Sequence, residues 1–380
     1  MTTARKVSSR FAAVFAPLTG ARIMAAIRPL AAIAIAALII SIVLIALGAS
    51  PLAVFADLWQ GAFGNWLAAT DTLVKTTPLI FTGLAIAIAF QGALWNIGAD
   101  GQLIVGAMAA GAIGPALGGW PHPIAILTML ALGAIGGALW GGLAGWLRAR
   151  REVNEVICTI MLNFVAAQML SWAVHGPLME RSRSFPQSTM IAPNAQLAFY
   201  FQPSRLNCGM IVAVLLAVAC NLMLFHSAVG FELRALGRNR RASAFFGLPI
   251  RRLTVGVMAL SGALAGIGGA VQVSAITHRL FETMSPGWGY EAIAVALVAR
   301  LNPLAIVPAA LLFGALDNGS QAMQRAHGVS PELVYIIQGM VIIVLVAFDA
   351  VASSGLRDAF FGAGDNVTAA PDVMAEAGDA

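Results

Sequence analysis

The run NCGMIVAVLLAVACNLMLFH, residues 207–226, is followed after a basic segment by a second apolar run, LTVGVMALSGALAGIGGAVQV, residues 253–273. A helix of about 20 residues spans the ~30 Å hydrocarbon core of a bilayer. Of the 380 residues, 59% are hydrophobic and 10% are charged, and the mean hydropathy is +0.84. Too little polar surface remains to cover a soluble domain, so the sequence predicts an integral membrane protein.

Apolar runs of this kind recur along the chain and predict its topology. The stretch 290–317 is interrupted by Arg300, Asn302 and Pro303, which predicts two short helices with a tight turn at residues 301–303. We therefore expect an all-α polytopic membrane protein of about ten transmembrane helices with both termini in the cytoplasm. The eight clear spans are 29–48, 74–95, 101–118, 122–147, 154–174, 207–226, 253–273 and 332–350.

Charges outside the spans predict orientation and domain organisation. Sixteen basic residues lie in segments assigned inside and six, including Lys75, in segments assigned outside, as the positive-inside rule requires. We expect a basic cytoplasmic tail at 1–28, one transmembrane domain at 29–350 and an acidic, disordered cytoplasmic tail at 351–380. Because the arginines gather between spans, the net charge of +5 does not indicate nucleic-acid binding.

The basic segment GFELRALGRNRRASAFFGLPIRR, residues 230–252, carries six arginines and one carboxylate. Asn239 can cap a short helix that Gly247 ends. One face of that helix then carries, at spacings i, i+3 and i+4, Ala242, Phe245 and Phe246. An apolar facet with a basic rim predicts a docking surface for a cytosolic partner protein.

The sequence has no recognisable catalytic site. A P-loop needs a lysine after glycine, and the only lysines, Lys6 and Lys75, lack one. The zinc-protease and serine-hydrolase motifs and paired cysteines are also absent. We therefore expect no enzyme activity, no metal and no cofactor in this chain.

Polar residues cluster in QGALWNIGADGQLIVGA, residues 91–107, at the end of one span and the start of the next. Polar groups are expensive near a bilayer, which suggests a gate or a pathway element. The alternative is a polar turn in which Asp100 caps the helix that follows it.

Two further blocks place polar groups in or beside spans. In NEVICTIMLNFVA, residues 154–166, Asn163 lies inside a span, as does Gln168 beyond the block; such amides line a pathway or make hydrogen bonds between helices. In GWGYEAIAVALVARLNP, residues 287–303, Glu291 and Arg300 suit the dipole of a short helix, and substrate contact is the alternative.

Four motifs together resemble the permease subunits of ABC importers for ribose-type sugars, nucleosides and branched-chain amino acids. They are NIGADGQ, NEVICTIMLN, ELRALGRNRRASAFFGL and GYEAIAVALVARLNP, and they are most similar to the simple sugar and nucleoside branch. The resemblance covers roughly residues 75–350 in the family's order.

This resemblance implies a type II importer architecture in the bacterial inner membrane. It implies three kinds of partner: cytosolic ATPase subunits that bind ATP and Mg²⁺, a second permease of distinct sequence, and an extracytoplasmic solute-binding protein. The expected cargo is a small polar solute, a nucleoside first and a simple sugar next.

The resemblance also suggests roles for residues in the loop 227–252, which corresponds to the segment that couples to the ATPase. Phe245 and Phe246 would supply its apolar anchor. The remaining residues of this docking region are Glu232, Arg234, Gly237, Arg238, Asn239, Arg240 and Ala242.

Two other sets of residues are candidate contacts. Amides suit hydroxyls or base edges and an indole can stack on a ring, so the pathway candidates are Gln91, Trp95, Asn96, Asn163 and Gln338. Outside, Arg181, Arg183 and Arg205 could meet acidic residues of the binding protein or be solvated loop charges.

Two other classes remain open from the residues alone. An ion-coupled secondary transporter would need no ATPase but would normally carry an intramembrane carboxylate, for which Glu291 and Asp349 are the candidates. A membrane scaffold that only docks a cytosolic partner would not need the buried amides.

Overall fold

A computed structural model describes residues 50–200 and 203–327, with single helical positions between 34 and 45 and between 339 and 343. The chain divides into two units, one formed by Met1–Gly48 with Gly339–Ala380 and the other by Ala49–Gln338. In the first unit, the Ser41 hydroxyl donates to the Ala37 carbonyl at 2.7 Å, a helical spacing. Both tails and Gln338 lie outside the described residues, as do most of the predicted spans 29–48 and 332–350.

The described part of the second unit consists of helices joined by non-helical connections, with three isolated β-bridges and no strand. Its helices are α1 Pro51–Phe63, α2 Trp66–Gln91, α3 Ala99–Ile113, α4 His122–Arg151, α5 Glu155–His175, α6 Gly209–His226, α7 Ala228–Arg238, α8 Arg240–Phe245, α9 Ile250–Gln272, α10 Trp288–Val298 and α11 Pro303–His327. Short 3₁₀ turns cover Gly114–Gly119 and Pro193–Ala195, and a π turn at Val273–Thr277 extends α9.

Seven of these helices are long and apolar enough to cross a membrane, namely α2, α3 with its 3₁₀ turn, α4, α5, α6, α9 with its π turn, and α11. Six of them confirm predicted spans, with shifted ends. The span predicted at 74–95 runs from Trp66 to Gln91, because the Asn65 side chain caps its start by accepting from the Ala68 amide at 2.8 Å. Helix α1 was not predicted.

The two helices predicted around residues 290–317 are α10 and α11. The turn between them places Arg300 and Leu301 in the left-handed region, with φ of 50° and 57°. Helix α11 runs on to His327, well beyond the predicted end, so Asp317 lies inside a membrane helix instead of at its end.

Glycines at four-residue spacing hold α4 and α9 in close contact. A Cβ on Gly262 would lie 2.1 Å from the Gly137 carbonyl oxygen, and one on Gly137 would lie 2.0 Å from that of Gly262. Helix α3 joins the pair through Gly106, whose Cβ would lie 2.3 Å from the Gly266 Cα. Helices α3, α4 and α9 therefore form a tightly packed centre, and α2 packs against it.

Two non-helical segments enter the interior of this bundle. Residues 92–98 separate α2 from α3, and residues 278–287 lead into α10. Leu280 is fully buried against Gly111, and Gly289 meets the backbone of Asp100. The first turn of helix α10 thus packs against the start of α3.

Candidate functional site

Helices α7 and α8 form an angular unit at the end of the bundle where α4 and α6 finish. Ser227 caps α7 by accepting from the Gly230 amide at 3.1 Å. Asn239 ends α7 and caps α8, accepting from the Ala242 amide at 3.0 Å, which confirms the predicted cap. Gly247, with φ of +80°, follows the end of α8. We call residues 227–247 the docking segment.

The tip of the docking segment carries an exposed aromatic pair. Phe245 and Phe246 are 89% and 81% exposed, and their rings meet edge to face with centroids 5.9 Å apart. Ala242 is half-buried and Ser243 is buried against the bundle. The two rings therefore project away from the rest of the described chain.

Helix α7 is fixed to the bundle through its buried side. Leu233 and Leu236 are buried, and a Cβ on Gly237 would lie 2.0 Å from the Gln91 carbonyl oxygen. The Arg234 guanidinium donates to the Leu224 carbonyl and lies over the Phe225 ring, 5.1 Å from its centroid. Glu232 is partly exposed, whereas Arg238 and Arg240 are exposed.

A basic cleft of about 570 Å³ lies beside α8. The fold brings Arg148 and Arg150, at the end of α4, next to α8. Arg148 is neutralised by Glu155 at 3.0 Å. The cleft is lined by Arg148, Ala149, Arg150, Glu152, Arg240, Arg241, Ala244, Ile250 and Arg251.

Asn96 and Asn163, both predicted pathway residues, brace the break between α2 and α3. Asn96 is fully buried and donates to Gln102 at 2.9 Å and to Ser261 at 2.7 Å. Its carbonyl oxygen accepts from the Gly98 amide at 2.9 Å. The polar atoms of this amide are therefore engaged inside the chain.

Asn163, on α5, braces the same break between α2 and α3. Its oxygen accepts from the Gly101 amide at 2.8 Å, and its nitrogen donates to the Ile97 carbonyl at 2.9 Å and to the Tyr290 hydroxyl at 3.0 Å. The structure thus brings Asn96 and Asn163 together around residues 96–102.

Asp100 corrects one sequence interpretation. It does not cap α3, whose N-cap is Gly98 with no side-chain bond. Its buried carboxylate instead accepts from the Ser285 hydroxyl at 2.6 Å and from the Gly289 amide at 3.0 Å. Asp100 therefore caps α10, because folding places the start of α10 beside α3.

Gln91 and Trp95 lie near the docking segment. The Gln91 side chain donates to the Leu301 carbonyl at 3.3 Å, which ties α2 to the turn before α11. Trp95 is half exposed and packs on Phe90, with ring centroids 4.8 Å apart.

An ion pair that the sequence does not predict joins two of the candidate membrane helices. Lys75 lies within α2 and meets Asp317 of α11 at 2.9 Å, with side chains 20% and 34% exposed. The sequence predicts Lys75 among the charges on the outside; the structure places it within α2, which begins earlier than predicted. Glu291 is within electrostatic range of both. A lysine flanked by the apolar run of α2 was the available signal.

The arginines predicted to meet a binding protein lie at the opposite end of the bundle from the docking segment. Arg181, Arg183 and Arg205 are all exposed in the connection between α5 and α6. Nearby, Arg279 bonds Glu180 at 2.9 Å. The pKa of Glu180 is lowered first by a hydrogen bond from the Ser182 hydroxyl, then by one from Gln187 and by Arg279.

Comparison with known proteins gives a consistent family. Residues 68–346 match the family described as branched-chain amino acid transport system / permease component. The guanosine ABC transporter permease protein NupP of Bacillus subtilis is 36% identical over 80% of this chain and 88% of its own. No solved structure matches.

Two further relatives are similar over comparable lengths. The glucose ABC transporter permease protein TsgB13 of Haloferax volcanii is 31% identical over 79% of this chain and 81% of its own. The nucleoside ABC transporter permease protein NupB of Lactococcus lactis is 30% identical over 78% of this chain and 83% of its own.

Proposed function

Because the chain belongs to the branched-chain amino acid transport system permease family, as an ABC transporter permease subunit, we propose that it carries a nucleoside across the bacterial inner membrane. Two of the three relatives described above are named for guanosine or nucleosides, which supports this solute. A simple sugar is the second candidate, supported by the relative named for glucose.

The exposed aromatic pair is the observation that supports ATPase docking at α8. Burying a phenylalanine side chain is worth about 1.5–3 kcal/mol, so two anchors supply about 3–6 kcal/mol to an interface. Caps at Asn239 and Gly247 hold the short helix in shape, which reduces the ordering cost of association. A cytosolic ATPase that binds ATP and Mg²⁺ is the proposed partner.

The positions of the arginines also support docking at α8 and a cytoplasmic position for this end of the bundle. The basic cleft adds Arg241 and Arg251 to the docking residues proposed from the sequence. Arginine-rich ends of membrane helices face the cytoplasm. The exposed arginines of the connection between α5 and α6 would then face the solute-binding protein, and a second permease would complete the membrane part.

The test is a pull-down of the tagged chain, expressed with the rest of its transporter and extracted in mild detergent. The double variant Phe245→Asp/Phe246→Asp should lose the ATPase, because each carboxylate would have to be desolvated in an apolar pocket. Phe245→Leu/Phe246→Leu should retain most of it.

A matched control separates docking from general damage. Phe185 is also an exposed phenylalanine, at the opposite end of the bundle, so Phe185→Asp should keep the ATPase bound. Recovery of the same amount of ATPase with the double aspartate variant would refute docking at α8. Gradient-driven nucleoside uptake by vesicles containing the chain without any ATPase would refute the importer assignment.

A further inference from the structure

Helix α5 presents two chemically different sides. One side is buried and includes Thr159, Asn163 and Leu170. The other is exposed and carries Phe164, Gln168 and Trp172 at four-residue spacing. We call this second side the α5 face.

Gln168 is out of place on a surface that touches lipid. It is the fourteenth of the 21 residues of α5, about 20 Å from the start of the helix at ~1.5 Å per residue. Its side chain is exposed and has no hydrogen-bond partner among the described residues. An unsatisfied amide in hydrocarbon costs about 4–8 kcal/mol on the transfer scale, so a polar group must face it.

The amide differs in this respect from the other membrane amides. Asn96 and Asn163 are engaged by partners in the chain, and their atoms hold backbone in place. Gln168 lies only five residues beyond Asn163 yet faces the other way. Of these three amides, only that of Gln168 has no hydrogen-bond partner in the part of the chain that the structure describes, so it is the one available to a solute.

The surroundings of Gln168 suit a planar solute with apolar faces and a polar edge, because the amide lies among apolar side chains. A shallow cleft of about 400 Å³ is lined by Phe164, Val165, Gln168, Met169 and Trp172. Aromatic rings one turn before and one turn after the amide can stack on a base, at about 1–3 kcal/mol per stacked ring. A glutamine amide offers one acceptor and two donors, which pair with the edge of a nucleobase.

We propose that the α5 face lines the solute pathway, where the Gln168 amide hydrogen-bonds the nucleobase and Trp172 or Phe164 stacks on it. The inference rests on the proposed function and names the residues by which this permease selects its solute. The second permease closes the other side of the pathway. Asn96 and Asn163 then position the backbone and do not touch the solute.

The experiment uses the complete transporter, reconstituted in proteoliposomes with its binding protein and ATP. Initial uptake of tritiated guanosine and uridine is measured for the unsubstituted complex and for Gln168→Leu, Trp172→Ala and Trp172→Phe. Leu215→Ala, at a 62% exposed position of α6, is the matched control.

Gln168→Leu should lower guanosine uptake at least about tenfold and change the guanosine-to-uridine ratio, since the lost hydrogen bonds belong to the base. Trp172→Ala should lower uptake of both nucleosides, while Trp172→Phe and Leu215→Ala stay within about twofold. Co-purification of the second permease must persist in each variant.

Two outcomes would overturn the inference. One is Gln168→Leu uptake within twofold of the unsubstituted complex with an unchanged ratio. The other is loss of the second permease from the complex, which would make Gln168 a contact between subunits. Uptake by the unsubstituted complex tests the proposed function separately. Sugar uptake without nucleoside uptake would refute the assignment of a nucleoside as the solute. The ratio of variant to unsubstituted uptake would still test whether the α5 face lines the pathway.

Discussion

Breaking the ion pair between Lys75 and Asp317 should destabilise the membrane bundle more than removing both charges. At 2.9 Å the Coulomb attraction is about 6 kcal/mol for an effective dielectric constant of 20. Desolvation of both ions offsets most of this attraction, so the pair itself adds little. Its importance lies in what a lone charge would cost.

Removing one partner leaves a charge in a partly buried, apolar setting. A fully buried pair would cost about 3–5 kcal/mol when broken, and the partial exposure of both side chains reduces this to about 2–4 kcal/mol. We therefore expect Lys75→Met and Asp317→Leu each to destabilise by about 2–4 kcal/mol. The double variant should lose less than either single variant.

The assay is reversible unfolding of the purified chain in mixed micelles, followed by circular dichroism as the denaturing detergent fraction rises. A double-mutant cycle then gives the coupling between the two residues directly. Additive effects, with a coupling below about 0.5 kcal/mol, would show that the charges are solvated independently and would refute the reasoning.

Substitutions at three further sites, with their controls, test the fold and the candidate site. Gly262→Ala should destabilise the bundle by about 1–3 kcal/mol in the same unfolding assay, whereas Gly256→Ala, with open space around it, should not. Asp100→Ala should cost about 1–2 kcal/mol and lower uptake because α10 loses its cap, while Asp100→Asn keeps acceptors for it. A hydrogen bond from Ser182 lowers the pKa of Glu180 in the folded protein below its usual 4.5. The ionised Glu180 carboxylate therefore contributes its full stabilisation above pH 4.5, and this stabilisation is lost as the pH falls through the lowered pKa of the folded state. Proteolysis of the connection between α5 and α6 should therefore accelerate only below about pH 4.5 in the unsubstituted protein, and Glu180→Gln should remove this step.

Local patterns in the sequence predicted the helices well where length and apolar content decide them. The Asn239 cap and the turn before α11 depend on residues close in sequence, and the structure confirms both. Helix α1 was not predicted, because its 13 residues are too few to be recognised as a membrane span.

Contacts between distant segments could not be predicted in the same way. Asp100 caps a helix that begins 188 residues later, and Lys75 pairs with Asp317 across the bundle. Nothing in the local sequence distinguishes the engaged amide of Asn163 from the exposed amide of Gln168. Only the rotation of α5 within the fold separates them.

Rigid contacts join the docking segment to the α5 face. Gly237 of α7 rests on the Gln91 carbonyl so closely that no side chain fits between them. The Ile97 carbonyl, in the segment that follows Gln91, accepts a hydrogen bond from Asn163 of α5. Helix α5 carries Gln168 on its other side. Close-packed contacts transmit a displacement, whereas a loosely packed loop would absorb it. If an ATPase docks at α8 as proposed, a movement that it imposes on α8 would therefore reach α5 and the proposed pathway face.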